Sequence, residues 1–415
     1  MTITNATIRA VNALTARWAQ EVGGDGNSVL SAAGVWPLLA FLADGAAGPA
    51  RGELAGALGM PAEQAAGAAR ELLAGMDAMR GLDSALGLWT KRTLELREAW
   101  EAGLPAGAHG VLTGDARADG AALDAWAAKR TGGLVERMPV AVTDDTEMIL
   151  ANALALRTRW LRPFSESGDL DSLHWPEGDV LSLRRVSAVP DRIGVADTPH
   201  GHVTELRVLG DNALDVHLLL GEEHMPPGRV LGAGVDLLAR RYRVLPGSRL
   251  PYGEVGPGLR VERKRSATPE PPTLEVTTPA FHVTADHDLL EGHELFGLTT
   301  AVGTPQGHFP GITGGLPLMI ASAAQSARAR FGATGFEAGA VTAFDLAVGG
   351  PPQLRWIVTT LRARFDRPFG FLALHRHSRL VLAAGWVADP ERLPEHQEHL
   401  GDFEHLGDFE NPEDF

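Results

Sequence analysis

Apolar residues at helical spacing open the chain: Ile8, Val11, Leu14, Trp18 and Val22 recur at intervals of three and four and predict a first amphipathic helix. Up to about residue 140 the pattern stays mostly helical, with Gly and Pro as punctuation, and predicts helices over 36–44, 49–58, 62–79 and 121–138. From Met148 the period shifts toward two, which predicts strands over 148–156, 203–208, 213–220, 274–283 and 369–374. Helices first and strands afterwards indicate an α+β fold rather than alternating βαβ units. The Pro and Gly clusters at 225–229 and 251–258 are short and flanked by apolar segments, so they read as surface loops of one domain spanning 1–390.

Composition narrows the function classes. Hydrophobic residues make up 44% of the chain and charged residues 21%, as in ordinary globular proteins, and no apolar run reaches the roughly 18 residues of a membrane span. The formal net charge is −15, and residues 391–415 hold nine carboxylates against one arginine, so neither nucleic acid nor membrane is an expected partner. Within that tail Glu398–Phe403 is duplicated as Glu404–Phe409, which reads as a solvated acidic extension, or alternatively as a docking peptide anchored by the repeated Leu and Phe. There is no cysteine, so disulfides and thiolate chemistry are excluded. Three lysines stand against thirty-four arginines in an Ala- and Gly-rich background, a bias of codon usage. No metalloprotease, nucleophile-elbow, phosphate-loop or dinucleotide-binding motif occurs, so no enzyme and no cofactor is expected. The pairs His200/His202 and His375/His377 share a strand face but have no third ligand nearby, so no metal site is expected either. The N-terminus has no basic start followed by a short apolar block, which by sequence alone points to the cytoplasm.

Six stretches, taken in order, resemble the serpin family over residues 27–390. They are Asn27–Ser31 leading to Leu38–Leu42; Ala151–Leu156 with Arg159-Trp160 and Pro163-Phe164; Phe309-Pro310-Gly311-Ile312; Gly335–Thr342; Phe365–Phe369; and Gly385–Pro390. The resemblance is to a bacterial-looking member. It implies N-terminal helices around a large central β-sheet, further sheets, and an exposed reactive loop at about 335–361. It also implies a monomeric inhibitor of serine proteases that acts as a suicide substrate: the loop is cut, inserts into the central sheet and traps the enzyme covalently. By family analogy the location would be extracellular. The alternative is a non-inhibitory serpin-fold binding protein whose loop is cut but does not insert.

The same resemblance names site residues. Gly335, Phe336, Glu337, Ala338, Gly339, Ala340, Val341 and Thr342 correspond to the hinge, and Ser31, Asn152, Trp160 and Gln325 to the region where the sheet opens. Several positions depart from the family: Ala32 and Gly34 stand for Pro and Ser, Gln325 for His, Ala333 for Glu, and Phe336 for Thr or Ser. Phe336 needs more room than a threonine as the first side chain to enter the sheet, and Ala329 or Gly332 are candidates to provide it.

The loop has its own pattern. Between Phe336 and Gly350 there is no proline, and the only charges, Glu337 and Asp345, share one strand face. The opposite face reads Phe336, Ala338, Ala340, Thr342, Phe344, Leu346 and Val348. Pro351-Pro352 ends this competence, because proline cannot donate to a ladder. Such a strand would span roughly 50 Å. About ten new ladder hydrogen bonds plus the buried apolar side chains would release on the order of 10 kcal/mol. Counting from Gly335 places the scissile bond at Gly349–Gly350, preceded by Leu346, Ala347 and Val348, which suits elastase- or subtilisin-like proteases; Arg355 is the runner-up and suits trypsin-like ones.

Overall fold

The computed structural model describes residues 3–23, 26–170, 172–176, 179–302, 308–314, 318, 320–336 and 355–393. The first helix runs Asn5–Ala19, with Thr4 as its cap and Ile8, Val11, Leu14 and Trp18 on the buried face. Helices Ala32–Gly45, Gly48–Leu58 and Ala62–Asp77 follow, then Ala116–Arg130, and Pro227–Leu238 comes much later. The expected helix over 121–138 starts and stops earlier, because Thr131 leads into Gly132 and Gly133 at φ 61° and 86°, a left-handed turn that only glycine enters cheaply. The N-terminal part is also not purely helical: Leu82–Lys91 and His109–Leu112 are strands of the central sheet. The strand expected over 274–283 is two, Thr273–Pro279 and Phe281–Asp288, and they belong to different sheets.

Three sheets carry the fold. The central one runs, in spatial order, His109–Leu112, Leu82–Lys91, Met148–Leu156, Ser322–Phe331 and Phe281–Asp288. A second sheet packs beneath it, with Ser28–Leu30, Val381–Val387, Phe369–His375, Leu214–Leu220, Gly201–Val208, Ile193–Thr198 and Val244–Pro246 in order. The third holds Gly253–Gly256, Leu259–Ser266, Trp356–Arg364, Thr273–Pro279, Leu181–Ser187 and Ser165–Asp169. Of the loop expected over 335–361, then, Gly335–Phe336 and 356–361 lie in strands, and 337–354 fall outside the described residues. The acidic extension likewise begins later than 391: Glu391 donates to Ala280 O and accepts from Leu181 N, and the extension from 394 falls outside the described residues.

All nine residues of Met148–Leu156 are buried, which follows from cover on both faces. Met148, Leu150, Leu154 and Leu156 join the main core. Ile149, Ala151 and Ala153 face a second cluster built with Leu123 and Ala127 of the Ala116–Arg130 helix, where small residues let the helix lie close to the sheet. Asn152 therefore sits at a core-facing position where an apolar residue would be expected. Between the first two sheets, Phe281 stacks on Phe331 at 5.2 Å and approaches Phe371 at 5.1 Å, forming an aromatic core.

His287 lies on the strand Phe281–Asp288 and is half-buried against the first helix. Its ring meets Trp18 edge-on at 5.0 Å, and its Nε2 lies 2.8 Å from Val29 O. Burial lowers its pKa below the ordinary 6.5, with the Val29 bond and Asp286 opposing. A histidine held neutral in the fold contributes stability that is complete above the unfolded value and declines as pH falls below it. Thermal midpoints are therefore expected to drop between pH 7.5 and 5.5, and His287→Gln, which keeps a donor for Val29, should flatten that slope. An unchanged slope would place the proton uptake elsewhere.

Candidate functional site

The strand Met148–Leu156 and the strand Ser322–Phe331 run parallel and pair directly, from Ser322 opposite Ile149 to Ala327 opposite Leu154. Beyond Ala327 the two diverge. There the chain turns back through Gly332, whose N–H donates to Gly335 O at 3.0 Å, and Gly335–Phe336 enters the gap. Phe336 pairs antiparallel with Phe331 on one side and with Thr158 on the other. One short reversed strand thus already lies between the two parallel ones, at one end of the sheet.

Phe336 is accommodated in this position. Its side chain is buried on the core side, 6.3 Å from the Phe371 ring in the second sheet. The room comes from the divergence of the strands and the aromatic layer beneath. Ala329 pairs with Val283 and is not the residue opposite Phe336; Gly332 contributes through the tight turn.

Trp160 holds the turn from outside. Its backbone N–H donates to Thr334 O at 3.0 Å, its indole N–H to Gly332 O at 2.9 Å, and its ring packs on Phe331 at 4.9 Å. Phe164 N–H donates to Ala333 O at 2.8 Å. Backbone carbonyls of 332–334 are thereby satisfied by one neighbouring segment, irrespective of which side chain occupies position 333.

Halfway down the sheet a second group closes the parallel pair. The Gln325 amide donates to Asn152 Oδ1 at 2.9 Å and to Ser31 O at 2.8 Å, and its Oε1 accepts from Ser31 N at 2.8 Å. Asn152 Nδ2 donates to Ala85 O at 2.9 Å, and the Ser31 hydroxyl donates to Leu382 O at 2.6 Å. Gln325, Asn152 and Ser31 are all buried, and the network joins four strands to the start of the Ala32–Gly45 helix, which Ser31 caps by accepting from Gly34 N. Gly34 is required here, since a Cβ would lie 2.0 Å from Asn152 Oδ1. Gln325 carries out the bridging with one acceptor and two donors, each satisfied.

The structure therefore brings Ser31, Asn152 and Gln325 together and sets Trp160 apart, beside the hinge turn. Hinge residues Gly335 and Phe336 sit as described; Glu337, Ala338, Gly339, Ala340, Val341 and Thr342 fall outside the described residues, as do Leu346, Ala347, Val348, Gly349 and Gly350. Arg355 is exposed, one residue before the strand Trp356–Arg364. His202 lies 3.3 Å from Glu222, His375 lies 2.9 Å from the Ser378 hydroxyl, and among the described residues no group of three metal-ligating side chains occurs. Sequence reasoning missed the backbone partners, Ala85 O and Leu382 O, which leave no side-chain signal.

Known structures share this arrangement of sheets. Thyroxine-binding globulin in complex with thyroxine aligns at TM-score 0.70 and 18% identity over 93% of this chain and 99% of its own. Serpin48 of the insect Tenebrio molitor aligns at 0.68 and 18% over 94% and 100%. The chain has the serpin fold. The model of the family described as Serpin (serine protease inhibitor) matches residues 6–177. Among relatives, serpin-Z6C of Oryza sativa subsp. japonica is 24% identical over 94% of this chain and 96% of its own. A serine protease inhibitor of Cyanea capillata is 23% identical over 89% and 93%. The family model and both relatives support the serpin family. One relative is from a plant and the other from a cnidarian, so the expectation of a bacterial-looking member is not borne out.

In this serpin fold the closed centre of the sheet rests on Gln325. Gln325→Leu keeps the volume but leaves Asn152 Oδ1 and the Ser31 N–H without a partner, at a cost of about 1–3 kcal/mol. Urea unfolding should show that loss, whereas Gln325→His, which retains a donor, should recover part of it. Equal stability of Gln325→Leu and the parent would show that the network contributes nothing.

Proposed function

We propose that the chain inhibits serine proteases by offering the segment after Phe336 as bait and inserting it, once cut, between Met148–Leu156 and Ser322–Phe331. The observation that carries this reading is the agreement of three registers. Continuing the pairing of Phe331 with Phe336 along one strand sets Thr342 opposite Gln325. Continuing the pairing of Phe336 with Thr158 along the other sets Thr342 opposite Asn152. Gln325 and Asn152 are already partners in the closed pair. A strand growing from Phe336 would need the two strands to part sideways, with no slip along their length.

The same registers give the face. Phe336 points to the core, so the charge-free series Ala338, Ala340, Thr342, Phe344, Leu346 and Val348 would follow it inward, leaving Glu337 and Asp345 outward. Thr342 would arrive between Gln325 and Asn152, where its hydroxyl can replace the hydrogen bond that the parting strands lose. Serpin loop insertion is itself a standard instance of strand addition. In the chemistry, the protease serine oxygen attacks the loop carbonyl and expels the amine of the following residue as the new N-terminus. The loop stays joined to the enzyme as an ester. Insertion then drags the enzyme away before water hydrolyses that ester.

The hinge favours a second reading as well, a binding protein whose loop is cut without inserting. Phe336 stands where the family carries a small hydroxyl residue, and a buried benzyl group already fixed against Phe371 can anchor the hinge rather than start its travel.

Mixing the protein with an elastase-like, a subtilisin-like and a trypsin-like protease separates the readings. Inhibition predicts a complex that survives denaturing electrophoresis and a released peptide beginning near Gly349 or Gly350; a peptide beginning at Trp356 would move the bond to Arg355. Clean cleavage with no complex and no gain in thermal stability supports the second reading. Thr342→Arg places a charge in the buried centre at a cost of several kcal/mol. It should leave cleavage intact while reducing complex yield by about tenfold or more.

A further inference from the structure

Next to the hinge, the chain leaving Trp160 forms one wall of a cleft of about 140 Å³ whose lining includes Arg162, Arg185, Arg192 and Arg207, with Ser187 and no carboxylate. The arginines come from four places: the segment after Trp160, the strand Leu181–Ser187, the turn Pro190–Arg192 and the strand Gly201–Val208. Arg185 is stacked 4.2 Å over the Phe164 ring, and its Nη1 donates to Arg162 O at 3.0 Å, which fixes the orientation of its fork. Arg207 donates from Nη2 to Asp191 O, but its Nε is buried without a hydrogen-bond partner, the nearest carboxylate oxygen being Glu205 Oε2 at 4.0 Å. Among the described residues, Arg162, Arg185 and Arg192 make no ion pair.

The neighbouring cavity shows what a compensated arrangement looks like. It is larger, about 410 Å³, and shares Arg192 and Arg207. There Arg376 holds Asp215 through two nitrogens at 2.8 and 2.6 Å, and Glu205 meets His217 at 2.8 Å. In the smaller cleft the lining holds four arginines and no carboxylate; Asp191 and Glu205 act on Arg207 and Asp215 on Arg192 only from outside it. Burial together with the charges of Arg162 and Arg192 pushes Arg185 down to about 10, and burial followed by Arg207 lowers Arg192. Arg162 is exposed and Arg185, Arg192 and Arg207 are half-buried, and holding guanidinium groups together in partly desolvated surroundings is costly unless an anion joins them. In a chain of net charge −15 such a cluster also runs against the average field.

We propose that this cleft binds a small multivalent oxyanion, a phosphate or sulfate group, in the forks of Arg162, Arg185, Arg192 and Arg207. Guanidinium forks match the oxygen spacing of such groups bidentately. Ser187 Oγ accepts from Val189 N at 3.2 Å, which leaves its proton to donate. The site is independent of the loop chemistry, since none of these residues belongs to the hinge or to the Gln325 network.

Titration calorimetry on the full chain with inorganic pyrophosphate, and separately with sulfate, tests the assignment. One equivalent of pyrophosphate is expected to bind, with affinity falling as ionic strength rises. The double variant Arg162→Ala/Arg192→Ala should weaken binding by about tenfold or more, while Arg162→Lys/Arg192→Lys should retain part of it. Both residues reach solvent and make no ion pair, so the variants should keep the parent's far-ultraviolet spectrum; if the alanine pair does not, Arg192→Gln alone is the comparison. Stronger binding of sulfate than pyrophosphate would support the site and assign it to sulfate esters. No heat with either anion at millimolar concentration, or equal affinity in parent and variants, would overturn the proposal.

Discussion

A sheet in which two neighbouring strands run parallel can take one more strand between them that is antiparallel to both. Met148–Leu156 and Ser322–Phe331 form such a pair, and the chain that leaves the second of them turns back at Gly332 to enter the gap. Parallel ladders are slightly weaker per residue than antiparallel ones. Replacing one six-residue parallel ladder by two antiparallel ladders would add backbone hydrogen bonds, offset by the entropy of ordering the inserted segment, so burial of its apolar face has to supply the balance. The Gln325 network at its centre, the Trp160 clasp at its end and the Ala116–Arg130 helix across its face hold this pair shut.

The proposed insertion would require the groups of the central network to part, and their polar character suits that role. An apolar contact at Asn152 and Gln325 would close the strands without direction, whereas three amide hydrogen bonds hold one register and are strong only at that register. Every polar atom in the network has a partner, so the closed sheet carries no orphan there. Gly34 shows how little slack is available: the helix approaches so closely that a single methyl group would collide with Asn152. The substitution of Gly for the family's usual Ser at this position and of Gln for its usual His fit together as one arrangement, in which the longer amide reaches both Ser31 and Asn152.

Much of this was legible in the sequence, for physical reasons that differ by residue. A short apolar run such as 148–156, interrupted only by Asn152, suits a strand covered on both faces, and the Asn in its middle has to find buried partners. Leu82–Lys91 was not legible, since its Asp, Ser, Gly and Thr interrupt the alternation and its burial comes from neighbours far away in sequence. The break at Ala280 was marked only by Pro279, because two strands of different sheets follow each other with a single residue between them. Ala85 O and Leu382 O carry no side-chain signature at all. The arginine cleft was equally invisible: Arg162, Arg185, Arg192 and Arg207 show no spacing pattern, and only the packing of two sheets against the segment after Trp160 brings them together.

Phe336 is where sequence and structure weigh differently. From the sequence it is an obstacle, a benzyl group that must pass between closed strands. In the fold it has already passed, and it sits buried against Phe371 with partners on both sides. The work of starting a new strand, fixing the first residues before any ladder repays them, is thus done in the uncut chain. For the proposed insertion, what would remain is zipping from an existing end, each further step requiring that the next pair of bonds between the parallel strands give way. A small residue at 336 would leave the hinge free to move in and out, whereas a phenylalanine commits it inward. Under the proposed insertion the barrier would lie further along, where Asn152 and Gln325 hold each other, and Thr342, the residue that the continued registers set against them, would offer both a hydrogen-bond donor and an acceptor in exchange.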